Sequence, residues 1–197
     1  MSAGARKIER TDILRPEVYA TERKQRRAAL MPLKRVRRVE VGPYCTFYFE
    51  NYDTMWLQVH EMLHIEKGGE EQIEDELRAY NPLIPQGSDL VATVMFEIDD
   101  EVRRNAVLLK LGGVEETMYF EVGGERVKSD PEHDVERTAE DGKTSSVHFL
   151  HFRFTPAQIV KFRDSSVPVI LGIDHPAYAH MTRLLPETRA ALAKDFA

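Results

Sequence analysis

The chain has 197 residues, 42% hydrophobic and 30% charged, which is the ordinary balance of a globular protein with one sizeable core. No run approaches 18 uncharged apolar residues and Met1 to Arg10 lacks the apolar stretch of a signal peptide, so a cytoplasmic protein with no membrane association is expected. Cys45 is the only cysteine, which excludes intramolecular disulfides, Fe–S clusters and Cys-rich zinc sites within one chain and leaves His and carboxylates as the available metal ligands.

Residues 1–38 hold twelve Lys and Arg against four acids, whereas the remainder holds fifteen against twenty-nine. A basic arm therefore precedes an acidic body. Such an arm can meet phosphates, but the body repels a polyanion; the expected use is docking on its own domain, on a second copy or on a redox partner, rather than on nucleic acid. We read 1–38 as a basic helical arm packed on or extending from the domain, and 39–197 as a single α+β domain. Within the arm a helix opens near Pro16 and runs through Val18 and Tyr19 to Leu30, where Pro32 is expected to break or kink it.

Cys45 to Glu50 alternates in the manner of a strand. Asp53 or Thr54 can cap a helix running to about Lys67, stopped by Gly68-Gly69, and a second helix follows to Tyr80. Ser88 to Ile98 is the clearest strand, with a helix from Asp100 to Leu111 after it. Gly123-Gly124 suits a hairpin turn within 117–128, and 129–145 reads as a long polar loop. Ser146 to Phe154 and Val167 to Ile173 complete the strands, separated by a short helix that Thr155-Pro156 opens; a terminal helix runs from Pro186 to about Phe196. Asp174 is expected to cap a short helix with Pro176 in its first turn. These elements predict an α+β fold, a largely antiparallel sheet of about five or six strands covered by helices.

His60-Glu61-Met62-Leu63-His64 has the spacing by which zinc peptidases place two imidazoles on one metal and a glutamate beside the metal-bound water. The helical wheel argues against it. Met55, Val59, Met62 and Leu63 form the apolar stripe, and His60 and His64 lie about 100° or more from its centre, on the expected solvent side. Glu66 falls in line with the stripe, where a carboxylate needs water, a cation or a metal.

Several separated segments carry a family resemblance: Glu61-Met62-Leu63 with Ile65-Glu66, Asp75-Glu76-Leu77, Ala79-Tyr80-Asn81-Pro82-Leu83, Ala92-Thr93 with Glu97, Thr144 to Leu150, and Asp174-His175-Pro176-Ala177-Tyr178. On these the whole chain resembles an uncharacterised bacterial family, domain-of-unknown-function family 3501. The resemblance implies Gln and Arg at the positions of His60 and His64, which sets the zinc reading aside. It assigns no activity, and implies through gene neighbourhood a link to iron or peroxide stress.

The polar groups in the matching segments are Glu61, Glu66, Glu97, His148 and His175, a mixed carboxylate and imidazole set that suits iron, manganese or zinc. His148 travels with Leu150, Phe152 and Phe154 and is expected to be buried; His151 is expected to be wetter. No P-loop, dinucleotide fingerprint or Gly-x-Ser-x-Gly elbow is present. The leading expectation is a metal-binding accessory protein of redox or oxidative-stress metabolism using those five residues. The alternatives are an interaction or oligomerisation module without catalysis and a zinc peptidase built on His60, Glu61 and His64.

Overall fold

The computed structural model describes residues 6–132 and 142–197. After a 3-10 turn at Arg10–Asp12 come α1 (Pro16–Val36), β1 (Arg38–Val41), β2 (Cys45–Glu50), α2 (Tyr52–Glu66), α3 (Gly69–Tyr80), β3 (Asp89–Phe96) and α4 (Glu101–Leu108). A 3-10 turn at Val114–Thr117 precedes β4 (Met118–Val122) and β5 (Glu125–Pro131), then β6 (Val147–Arg153). The chain ends with α5 (Pro156–Arg163), β7 (Val169–His175), β8 (Tyr178–Arg183), α6 (Pro186–Leu192) and a 3-10 turn at Ala193–Asp195.

Local chemistry sets these boundaries. Asn51 and Thr54 cap α2 reciprocally, each side chain accepting from the other's backbone N–H at 3.0 and 2.9 Å. Lys67 ends the helix in the left-handed conformation at φ 56°. Asp100 caps α4 and Thr155 caps α5, while Gly123 and Gly124, both at positive φ, make the β4–β5 turn. Pro32 does not end α1: it sits on the exposed side, as does Ala28, so water can satisfy the carbonyl that loses its partner.

All strand pairs are antiparallel, in the order β1-β2-β3-β6-β5-β4-β7-β8. The sheet curls until its edge strands meet, forming a nearly closed barrel. Phe47, Phe49, Val94, Phe120, Phe152 and Leu171 fill its interior, and Phe154, Phe162 and Phe196 extend this core towards α5 and the C-terminus. A second core lies outside, where α2 and α3 cover Val91 and Phe149 with Met55, Val59 and Leu77. Arg37 joins the layers. Its five N–H donors go to the carbonyls of Phe49, Glu50 and Ala191 and to both carboxylate oxygens of Asp195, pinning the C-terminal turn under the end of α1.

The expected five or six strands are an undercount, since eight form among the described residues. β1 is four residues long, with Val39 and Val41 buried and Arg38 and Glu40 exposed, and follows α1 almost directly. β8 buries only Tyr178, so it carries almost no alternation. The helix expected after Asp174 is absent. β7 continues to His175, Pro176-Ala177 forms the turn into β8, and Asp174 accepts from Arg126 at 2.9 Å instead of capping. The polar loop expected from 129 loses its first residues to β5, and 133–141 lie outside the described residues.

Candidate functional site

α2 packs against α1 on one side and α3 on the other. Its two imidazoles differ in setting. His60 is buried, at 2% exposure, which corrects the solvent-side expectation. The wheel registers one apolar stripe, but α2 is covered from two directions, and the segment leading into α1 closes over His60. Its Nδ1 lies 2.7 Å from the Trp56 carbonyl and Nε2 accepts the Leu14 N–H at 3.0 Å, so the ring is a neutral Nδ1–H tautomer with neither nitrogen free for a metal. Burial lowers its pKa. His64 is half-buried, edge-on to Tyr19 with ring centres 6.0 Å apart.

Glu61 holds α1 in place. It accepts from both sides of the Arg23 guanidinium at 2.8 Å and from the Tyr19 hydroxyl at 2.6 Å, with Arg27 at 3.7 Å. Arg23 above all, opposed by burial, holds its carboxyl down at about 2.

The other predicted ligands lie elsewhere. Glu66 is exposed beyond the apolar stripe and accepts from Gln72 at 2.8 Å. Glu97, just past β3, accepts from Thr46 and Tyr48 at 2.6 and 2.7 Å, which hold its pKa down. His148 is buried on the barrel side of β6, with Nε2 2.8 Å from the Ser145 carbonyl and Nδ1 3.8 Å from Glu115. His175 ends β7, where its Nδ1 accepts the Ala177 N–H at 3.2 Å within the turn. Glu61 and Glu66 share α2 but turn to α1 and α3 respectively, and Glu97, His148 and His175 lie on other parts of the chain, each with its own partners. Among the described residues no group of three or more His, Cys, Asp or Glu can hold a metal.

Two features escaped the sequence reading. The first is His151 on β6, mostly buried between Asp89 at 3.5 Å and Glu132 at 3.7 Å. These separations are ion-pair contacts, too long for hydrogen bonds. Asp89 first and Glu132 second push the imidazole up to about 9, against the desolvation that opposes it. The strand alternation placed His151 on the wetter face but could not reveal that β3 and the end of β5 would bring carboxylates to both ring nitrogens.

The second feature is a groove of about 640 Å³ between residues 10–20, α2 and the start of α3. Ile13, Leu14, Tyr19, Ala20, Leu63 and Ile73 supply its apolar walls. Arg15, His64 and Lys67 stand along it, with Arg10 engaged by Glu70 and Glu74. Three segments distant in sequence make this surface, so no local pattern announces it. A smaller groove of about 440 Å³ runs between α1 and α2 beside Trp56.

No curated protein matches the chain. A crystallised protein of unknown function from Burkholderia pseudomallei is 38% identical over 97% of this chain and 100% of its own, with a TM-score of 0.89. The profile of the family described as protein of unknown function (DUF3501) matches residues 7–196, nearly the whole fold just described. The chain belongs to that family.

Proposed function

We propose that the protein is an interaction module without catalysis, which associates with a second copy of itself through the exposed face of α1. The observation that carries this reading is the charge on that face. At 100° per residue Lys24, Arg27, Met31, Lys34 and Arg35 share one arc, and all five are exposed. Arg27 reaches Glu61 only at 3.7 Å, and Lys24, Lys34 and Arg35 have no ion-pair partner among the described residues. Met31, 61% exposed, gives the stripe an apolar centre.

A chain of net charge −6 carries the complement on its own body, where Glu71, Asp99, Asp100 and Glu101 are exposed. Opposite surfaces on two copies steer together, whereas a polyanion meets the repulsion of the body. An accessory role with iron, manganese or zinc in redox metabolism needs converging ligands, and the dispersal of the five candidates favours the interaction reading. Peptidase chemistry at His60 needs a free ring nitrogen, and both are hydrogen-bonded.

Sedimentation of the full chain tests the proposal. Association is expected at about 0.1 M salt and its loss at about 1 M, as the screening length falls from about 10 Å to about 3 Å. The triple variant Lys24→Glu, Lys34→Glu, Arg35→Glu should be monomeric throughout. A monomer under all conditions, or association that the triple variant retains, would overturn the reading.

A further inference from the structure

We infer that the groove between residues 10–20, α2 and α3 binds a small amphiphilic anion: an unbranched apolar chain ending in a carboxylate. Size is the first argument. About 640 Å³ falls inside the roughly 300–1,000 Å³ of small-molecule sites. A protein partner needs a surface of about 800 Å² on each side, far more than this cleft offers.

The walls give the second argument. The polar groups nearest the floor are already satisfied: His60 by Trp56 and Leu14, and the Tyr19 hydroxyl by Glu61. What they present to the groove is ring surface, continuous with Leu14, Leu63 and Ile73. An alkyl chain laid there displaces water without stranding a hydrogen bond.

Charge supplies the third argument. Arg15 and Lys67 both line the groove, are exposed, and have no ion-pair partner among the described residues. Of the two carboxylates on the rim, Glu70 is held by Arg10, which leaves Glu17 alone against the two cations. The starts of α1 and α3 open on the same groove, neither with a side-chain cap, and set two positive dipole ends against the negative end of α2 at Leu63 to Lys67. His64, in the last turn of α2, offers a further donor to an anionic head.

Trp56, the only tryptophan, reports on the site because its ring lies 3.8 Å, centre to centre, from that of His60, which lines the groove. The wild-type chain would be titrated with decanoate below its micelle concentration and with decyltrimethylammonium, following Trp56 fluorescence and calorimetric heat. Saturable one-to-one binding is expected, at least about ten-fold tighter for the carboxylate, since a charge-assisted contact is worth about that factor. The double variant Arg15→Gln, Lys67→Asn should bind decanoate about ten-fold more weakly; Asn accepts the left-handed backbone at position 67. Ala20→Trp, at an exposed helix position on the groove wall, should abolish binding without touching the core. The inference falls if decanoate fails to saturate, if the cation binds equally well, or if both variants bind like wild type. Displacement of decanoate by an acidic amphipathic peptide at lower concentration would assign the groove to a protein segment and overturn it too. The self-association variant at Lys24, Lys34 and Arg35 should bind decanoate normally, so the two proposals fail separately.

Discussion

His60 and His151 are both largely buried imidazoles, and their surroundings push them in opposite directions. His60 faces a carbonyl and an amide with no anion beside it, so burial favours the neutral ring and its pKa is lowered. His151 lies between Asp89 and Glu132, so the charged ring is favoured up to about 9. The stability His60 contributes is therefore present above the unfolded value of about 6.5 and is lost as pH falls below it. His151 contributes fully below about 6.5, and its share is lost as pH rises through about 9. Denaturant midpoints measured across pH should show the alkaline decline, of about 1–2 kcal/mol after discounting for partial exposure. His151→Gln should remove that decline; a variant that declines like wild type from pH 6.5 to 9 would refute the assignment. Sequence reasoning identified the burial of His148 because one strand's alternation suffices for it. It failed at His60, and at His151 it gave the wetter face but not the two carboxylates, because what decides these arrives from other elements.

Helices and strands were legible in proportion to how much of their surface meets a single neighbour. β3, buried on nearly every residue, announces itself; β1 is too short and too close to α1, and β8 is an edge strand with one buried side chain. Pro32 misleads for a related reason, since the cost of a missing hydrogen bond depends on whether the orphaned carbonyl reaches water. α1 shows what replaces a continuous apolar face. It buries only Tyr19 and Leu30 along its own length and is fixed by Glu61 gripping Arg23 and Tyr19. Glu61→Gln keeps the shape but removes the charge, so one oxygen of the grip is lost and two cations lose their counter-ion. Amide exchange in α1 should quicken by about ten-fold or more while exchange in β3 and β6 follows only the global change, since the barrel core does not contain this contact. Equal acceleration in helix and barrel would show instead that α1 and the barrel open as one unit.

One hydroxyl ties together the two ends of the nearly closed barrel. Tyr178 reaches from the β7–β8 turn to the β1–β2 turn, where its oxygen accepts the N–H groups of Tyr44 and Cys45 at 2.9 and 3.0 Å and donates to the Val41 carbonyl at 2.9 Å. Gly42 permits the approach: at φ 72° it suits the turn, and a side chain there would meet the His180 ring and the Tyr178 hydroxyl within 2.6–2.7 Å. The edge strands β1 and β8 are thereby brought together without a ladder between them, and the exposed strand edges that an open eight-stranded sheet would offer to another chain are drawn in. Tyr178 belongs to the segment Asp174-His175-Pro176-Ala177-Tyr178 on which the family resemblance rests, and this closure gives that segment a structural role independent of any metal. Tyr178→Phe leaves the ring in the core but strands two amides and a carbonyl, each costing about 1–3 kcal/mol if water cannot reach it. A total loss of about 2–4 kcal/mol is expected, because the turn can relax outward and recover part of the deficit from solvent. The measurement is urea unfolding combined with amide exchange at Val41, Tyr44 and Cys45. Closure through the hydroxyl predicts fast exchange at these residues together with faster-sedimenting, associated species that persist at about 1 M salt as the edges become available. A variant that is destabilised by the same amount yet keeps these amides protected would show that the ring alone closes the barrel.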